Sequence, residues 1–238
     1  MTLREIYDIA VPQRKRREEH LNLLLAIALR PASIIVTAPL IKTKVKPVTI
    51  TKISIVCLLI SCVLISFGKT VLFRLLGWWW LYLWGVLDCV DGNLARCTNQ
   101  CSQVGDLWDT VGGYIAMIVI YFSAGIAAFF DSNLITICAQ HWMLILGGAS
   151  SIFSIFPRLV MQKKKTYQNA SKAVEILSDK ENFDLSKMIA LNLISPIGFI
   201  QIIFLVCIIF HLLNIFTLFY FCLNLGVMIL SLYSLLKA

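Results

Sequence analysis

Charge is scarce in this chain. Only 14% of its 238 residues are Asp, Glu, Lys or Arg, while 59% are hydrophobic. A soluble domain carries about 25% charged residues, so this chain lacks the polar surface with which to face water, and the bilayer is the remaining solvent. Alternation is missing as well. The apolar runs are continuous, which excludes the short alternating strands of a membrane β-barrel and leaves helices to satisfy the backbone in lipid. An early apolar core is absent: the first twenty residues include Glu5, Asp8, Glu18 and Glu19 among basic residues, so no cleavable signal peptide is expected. No internal repeat is visible. Cys97 and Cys101 lack the C-x-x-C pairing of a zinc site and have no His nearby. Of the remaining cysteines, Cys57, Cys62, Cys138, Cys207 and Cys222 fall within apolar runs, where thiols behave as small apolar groups. All eight, Cys89 included, read as structural.

What is present is a series of long apolar stretches, at roughly 50–68, 73–95, 108–130, 134–157, 188–212 and 214–236. Each is long enough to cross the ~30 Å hydrocarbon core as a helix. The expectation is an all-α polytopic membrane protein with six transmembrane helices: a cytoplasmic N-terminal segment, 1–49, and a six-helix unit, 50–238. Basic residues set the orientation. Arg4, Arg14, Lys15, Arg16, Arg17, Arg30, Lys42, Lys44 and Lys46 precede the first span, and Arg158, Lys163, Lys164, Lys165, Lys172, Lys180 and Lys187 fill the loop 158–187. The opposite side holds only Lys69 and Arg74. Both termini, the 96–104 turn and the 158–187 loop are therefore expected to face the cytoplasm, in an inner or plasma membrane. The net charge of +8 follows from this asymmetry and from anionic lipids, so no nucleic-acid partner is needed. Residues 14–30 start basic and continue as LNLLLAIALR, the pattern of an N-terminal interfacial amphipathic helix; a plain tether fits the same residues. Pro157 is expected to end the fourth helix, and Ser195-Pro196-Ile197-Gly198 to interrupt the fifth. Trp78, Trp79, Trp80 and Trp84 suit an aromatic belt at the outer interface.

Four acidic residues stand apart. Asp88, Asp91, Asp106 and Asp109 flank the short turn between the second and third spans. Ionised groups at membrane depth are costly unless paired or wetted, so each is a functional candidate. Asp88, Asp91, Gly92 and Ala95 are spaced by three or four and share one helix face. Two carboxylates one turn apart repel unless a cation sits between them. Oxygen donors at a phosphate site favour Mg²⁺ or Mn²⁺, and small residues let a ligand approach the backbone. Taken alone, such a pair is usually a solvated helix end, and Gly with Ala is usually a packing seam.

The conjunction with the next helix is more specific. Asp88, Asp91, Gly92, Ala95, Arg96, Gly105 and Asp109 fit the string D-x2-D-G-x2-A-R-x8-G-x3-D-x3-D at every spacing up to the last position. This resembles the motif of the CDP-alcohol phosphotransferases. Pro47-Val48-Thr49-Ile50-Thr51 is similar to the P-N-x-x-T that opens that family's first span, with Val48 in place of Asn. The resemblance implies that Asp88, Asp91 and Asp109 cradle a divalent metal at the diphosphate of a CDP-alcohol donor. It implies that Gly92, Ala95, Arg96, Gly105 and Thr51 line the donor site, Arg96 neutralising phosphate charge. It further implies transfer of the phospho-alcohol to a lipid or phosphorylated acceptor with release of CMP, in phospholipid or related biosynthesis, by a homodimer among membrane lipids.

One position departs from the pattern. The family's fourth aspartate, taken as the base for a hydroxyl acceptor, falls at 113, and here the residue is Gly113. Asp106 is extra but precedes Asp109 by a turn; acting through a water, it is one substitute for the base. An acceptor that is already an anion, or a protein that binds donor without turnover, are the others. The resemblance also implies that a phosphorylated acceptor would be met by basic residues after the fourth span, which makes Arg158, and less so Lys163, Lys164 and Lys165, candidate contacts. A small transporter or membrane scaffold is the rival class. It would place ionisable residues near the bilayer midplane, whereas the last three spans carry almost no charge.

Overall fold

A computed structural model of the chain describes residues 1–12, 22, 24–131, 137–167 and 192–236. Among these residues the protein is all helical, with no strand. Helix α1 spans Leu3–Ala10, and α2 spans Arg30–Leu40 behind a π-helical turn, Leu25–Leu29. The long helices are α3 (Pro47–Phe67), α4 (Val71–Cys97), α5 (Gln103–Phe130) and α6 (Ile137–Tyr167), followed by α7 (Phe199–Ile209) and α8 (Leu213–Leu236).

Four of these helices contain segments long and apolar enough to cross a bilayer: Pro47–Phe67, Gln103–Phe130, His141–Val160 and Leu213–Tyr233. The chain is an integral membrane protein. Helix α4 has the length, 27 residues, but carries Arg74, Asp88, Asp91 and Arg96. Helix α7 has only 11 residues.

The polarity of α3 is inside out, which fits lipid and not water. Its outward stripe is Ile53, Val56, Leu59, Val63 and Phe67, all exposed, while Thr51, Ser54 and Ser61 are buried with Cys57 and Leu58. Lipid-facing apolar residues and small or hydroxylated residues between helices are the expected arrangement in a bilayer. The same logic brings α5 and α6 into backbone contact. A Cβ built on Gly125 would lie 2.8 Å from the Cα of Gly147, and the reverse holds at 2.7 Å.

Several expectations need correction. Pro157 lies inside α6, which continues to Tyr167; its ring removes one backbone bond, and the neighbouring turns carry the helix through. Trp84 is not in an interfacial belt but fully buried, because it lies on the face of α4 that also carries Gly77, Leu81 and Asp88. The interruption of the fifth apolar stretch is present: Ser195–Gly198 is not helical, and Gln201 Nε2 donates to Pro196 O at 2.8 Å. Residues 188–191 of that stretch and most of the 158–187 loop, with Lys172, Lys180 and Lys187, lie outside the described residues. So do residues 13–21 and 23, where the N-terminal interfacial helix was expected to begin. Its described end runs on through Leu40 and buries Leu29, Arg30, Ser33, Ile34 and Thr37. Helix α1 was not anticipated, although Thr2 and Glu5 form a capping box at its start.

Candidate functional site

Helices α4 and α5 follow one another but scarcely touch, because α3 packs against both. The turn between them is sharp. Asn99 takes a left-handed conformation (φ 54°), and the Gln100 N–H reaches back to Ala95 O at 2.9 Å, a helix stop for which Asn is well suited. Ser102 then caps α5, its Oγ accepting from Gly105 N–H at 3.1 Å. At the far end, Arg74 donates to Asp131 Oδ2 at 2.6 Å and to Gly68 O at 2.9 Å, tying the start of α4 to the end of α5. The two helices are thus joined at both ends and parted between, and the acidic residues lie beside the turn.

A cavity of about 530 Å³ opens there. It is lined by Asp88, Asp91, Gly92, Ala95 and Arg96 from α4, Gly105, Asp106 and Asp109 from α5, and Thr51 from α3. Every residue the sequence assigned to a donor or metal site is on this wall, Arg158 excepted. Asp91 is 5% exposed, and its Oδ2 accepts from the Thr51 hydroxyl at 2.5 Å. A Cβ on Gly92 would come within 3.2 Å of the Arg96 guanidinium, which would have to give by a few tenths of an ångström.

A second cavity, about 400 Å³, shares Asp88, Asp109 and Ile197 with the first and adds Trp84, Gly113, Tyr114 and Arg158. Asp106 lines only the first cavity and Gly113 only the second. Asp109 therefore stands between them, with Asp106 a turn to one side and Gly113 a turn to the other. Around Gly113, a Cβ would meet nothing within 4 Å.

Among the described residues, no three His, Cys, Asp or Glu side chains converge to hold a metal ion by themselves. The donor set is nonetheless of the right chemistry: Asp88, Asp91 and Asp109 are three of the four carboxylates lining this cavity. Mg²⁺ characteristically takes one or two carboxylates and completes its shell with substrate phosphates and water, so a closed protein cage is not required.

Sequence reasoning missed a polar network behind the motif. Asn93, fully buried, accepts from Arg30 NH1 at 2.9 Å and from Arg96 NH2 at 3.2 Å. Its amide donates to Ser33 Oγ at 3.1 Å. The signal was available: Arg30 closes an otherwise apolar run, and a buried Asn inside a span needs partners.

Comparison with known proteins adds one positive finding. A family model, CDP-alcohol phosphatidyltransferase, matches residues 44–232, well over half of the chain. No curated protein matches it.

Proposed function

The chain belongs to the CDP-alcohol phosphatidyltransferase family, whose members move substituted phosphate groups in lipid biosynthesis, and on that premise we propose that it transfers a phospho-alcohol from a CDP-alcohol to an acceptor, releasing CMP. The observation that carries this reading is the pair of neighbouring cavities that share Asp88 and Asp109 in their walls. In it, the nucleotide and its diphosphate occupy the larger cavity, against Gly92, Ala95, Gly105 and Thr51, and the acceptor enters the smaller one beside Arg158.

The chemistry follows from that division. An acceptor oxygen attacks the β-phosphorus and forms a new P–O bond. The bond from that phosphorus to the bridging oxygen breaks, and CMP leaves with the electron pair. Arg96 faces the charge that spreads over the phosphate oxygens. Mg²⁺ or Mn²⁺ held by Asp88, Asp91 and Asp109 would supply further neutralisation of the diphosphate. Asp91 is kept in place by the Thr51 hydroxyl, which orients one carboxylate before any ligand arrives.

The acceptor side lacks a carboxylate at Gly113. Arg158 on the same wall suits an acceptor bearing phosphate, and an anionic nucleophile needs no base. Asp106, which faces the donor cavity, fits donor binding better than proton removal. In this reading α4 and the interrupted helix ending in α7 complete six spans, the turn at 98–102 faces the cytoplasm, and the protein works as a homodimer in an inner or plasma membrane.

A second reading is donor binding without turnover, favoured by the open space at Gly113. Membranes containing the protein, offered a panel of CDP-alcohols with hydroxyl and phosphate acceptors, separate the two. Divalent-dependent CMP release that requires both a particular donor and an acceptor supports transfer. Donor binding with CMP release at background for every acceptor supports the second reading.

A further inference from the structure

We propose that Gln100, in the turn between α4 and α5, reads the base of the nucleotide donor, its carboxamide meeting the exocyclic amine and the ring nitrogen of a cytosine. The proposal rests on the larger cavity being the nucleotide-diphosphate site. Gln100 is not part of the motif: it falls among the eight positions left open between Arg96 and Gly105.

Helices α4 and α5 run antiparallel, so the cavity between their neighbouring ends has a direction. Asp88 and Ala95 are seven residues apart, as are Ser102 and Asp109, which is about 10 Å along each axis at the rise of an α-helix. Asp88 and Asp109 therefore stand well in from the turn, and both also border the smaller cavity, where the acceptor enters. The reacting β-phosphorus must lie at that border, so the nucleoside extends away from it, toward the turn. On the way it passes Gly92, Ala95 and Gly105, small residues that let a flat ring lie close to the backbone. Gln100 lines the cavity where that path ends.

The pairing edge of cytosine offers an amine donor beside a ring-nitrogen acceptor. A carboxamide answers both at once, as it does for the equivalent pair on adenine. Two carboxamides line the cavity, those of Asn22 and Gln100. The oxygen of Asn22 is engaged, since its Oδ1 accepts from Leu25 N–H at 3.3 Å at the start of the π-helical turn. Gln100 is exposed, and its side chain has no hydrogen-bond partner among the described residues. Its backbone, in contrast, is fixed. The left-handed Asn99 and the bond from Gln100 N–H to Ala95 O hold it on one side, and the Ser102 cap holds it on the other. A fixed backbone with an unengaged head suits a ligand contact, whereas a glutamine that only stabilised the turn would spend its amide on the turn's own carbonyls.

The test is equilibrium binding of CDP, UDP and pyrophosphate, each with Mg²⁺, to the purified full-length protein in lipid nanodiscs, with thermal unfolding as a check on folding. Gln100→Ala is expected to weaken CDP binding about 3- to 10-fold, the scale of one or two neutral hydrogen bonds, and to leave pyrophosphate binding unchanged. A merely structural role would move both. Gln100→Glu can accept from the cytosine amine but repels the carbonyl that uracil carries in its place, so the preference for CDP over UDP should rise about 10-fold; it serves if the alanine variant does not fold. Unchanged CDP affinity in folded Gln100→Ala, equal losses for CDP and pyrophosphate, or an unaltered preference in Gln100→Glu would overturn the proposal. So would a CDP-selective loss confined to Asn22→Ala, which would put the base at the other end of the cavity. Asp88→Asn tests the underlying reading separately, and should abolish Mg²⁺-dependent binding of CDP and pyrophosphate alike. If it does so while Gln100→Ala has no effect, only the base assignment falls. If that variant, or chelation, leaves CDP binding intact, the cavity is not the metal-assisted donor site, and both inferences fall together.

Discussion

In the proposed reaction, the acceptor chemistry turns on Gly113. It follows Asp109 by one helical turn, so a carboxylate there would face the cavity that Asp88 and Asp109 also line. Nothing stands within 4 Å of a Cβ at this position, so Gly113→Asp should fold normally. We expect it to raise transfer to a neutral hydroxyl acceptor by about 10²-fold, the lower range for a positioned base, and to slow transfer to a phosphate nucleophile by repulsion. CMP release against matched acceptors measures both. A wild-type protein that already uses a neutral hydroxyl at full rate, and ignores Asp106→Asn, would contradict this account of the position. The three other aspartates carry a simpler expectation. Asp88→Asn, Asp91→Asn and Asp109→Asn should each abolish Mg²⁺- or Mn²⁺-dependent binding of a cytidine nucleotide while the protein still inserts. Wild-type binding that is indifferent to EDTA would remove the metal from the mechanism.

Between helices, one tie lies at the end of α4 and α5 away from the site. The Arg74–Asp131 pair is largely removed from solvent, at 5% and 17% exposure of the two side chains, and it ties α4 to α5 where the two otherwise stand apart. Removing one partner of such a pair leaves a charge stranded, which typically costs about 3–5 kcal/mol, whereas an apolar pair of similar size is often close to neutral. Arg74→Met should therefore lower the unfolding temperature in detergent markedly, and Arg74→Met with Asp131→Leu should recover most of the loss. If the double variant is as unstable as the single one, the bridge is more than a substitutable tie. The sequence showed Arg74 as one of two basic residues on its side of the membrane. That it pairs with Asp131 was not legible, because the partners are 57 residues apart and no local spacing rule links them.

At the scale of the whole molecule, the proposed orientation makes a direct prediction. Cysteines introduced at Asn99 and Lys69, both exposed, in a background free of other cysteines, should react with an impermeant reagent from opposite sides, position 99 from the cytoplasm. The reverse pattern would put the cavity out of reach of cytoplasmic CDP-linked donors. Much of the architecture was readable beforehand, since hydrocarbon solvent imposes continuous apolar runs whose lengths follow from bilayer thickness. The interruption at Ser195–Gly198 was readable because proline acts locally, yet Pro157 did not end its helix, because the turns on either side outweighed one lost bond. Trp84 was misplaced at an interface for a related reason: composition marks an aromatic cluster, but only packing decides which ring turns inward. What the sequence determined by itself was the motif, since residues three and four apart on a helix share a face whatever surrounds them. What only the tertiary structure decided was the division of two cavities around Asp109, with Asp106 lining one and Gly113 with Arg158 lining the other. It also decided the meeting of Arg30 with Asn93. Both depend on α3 holding α4 and α5 apart and on α2 lying against α4, contacts between distant segments that no periodicity along the chain encodes.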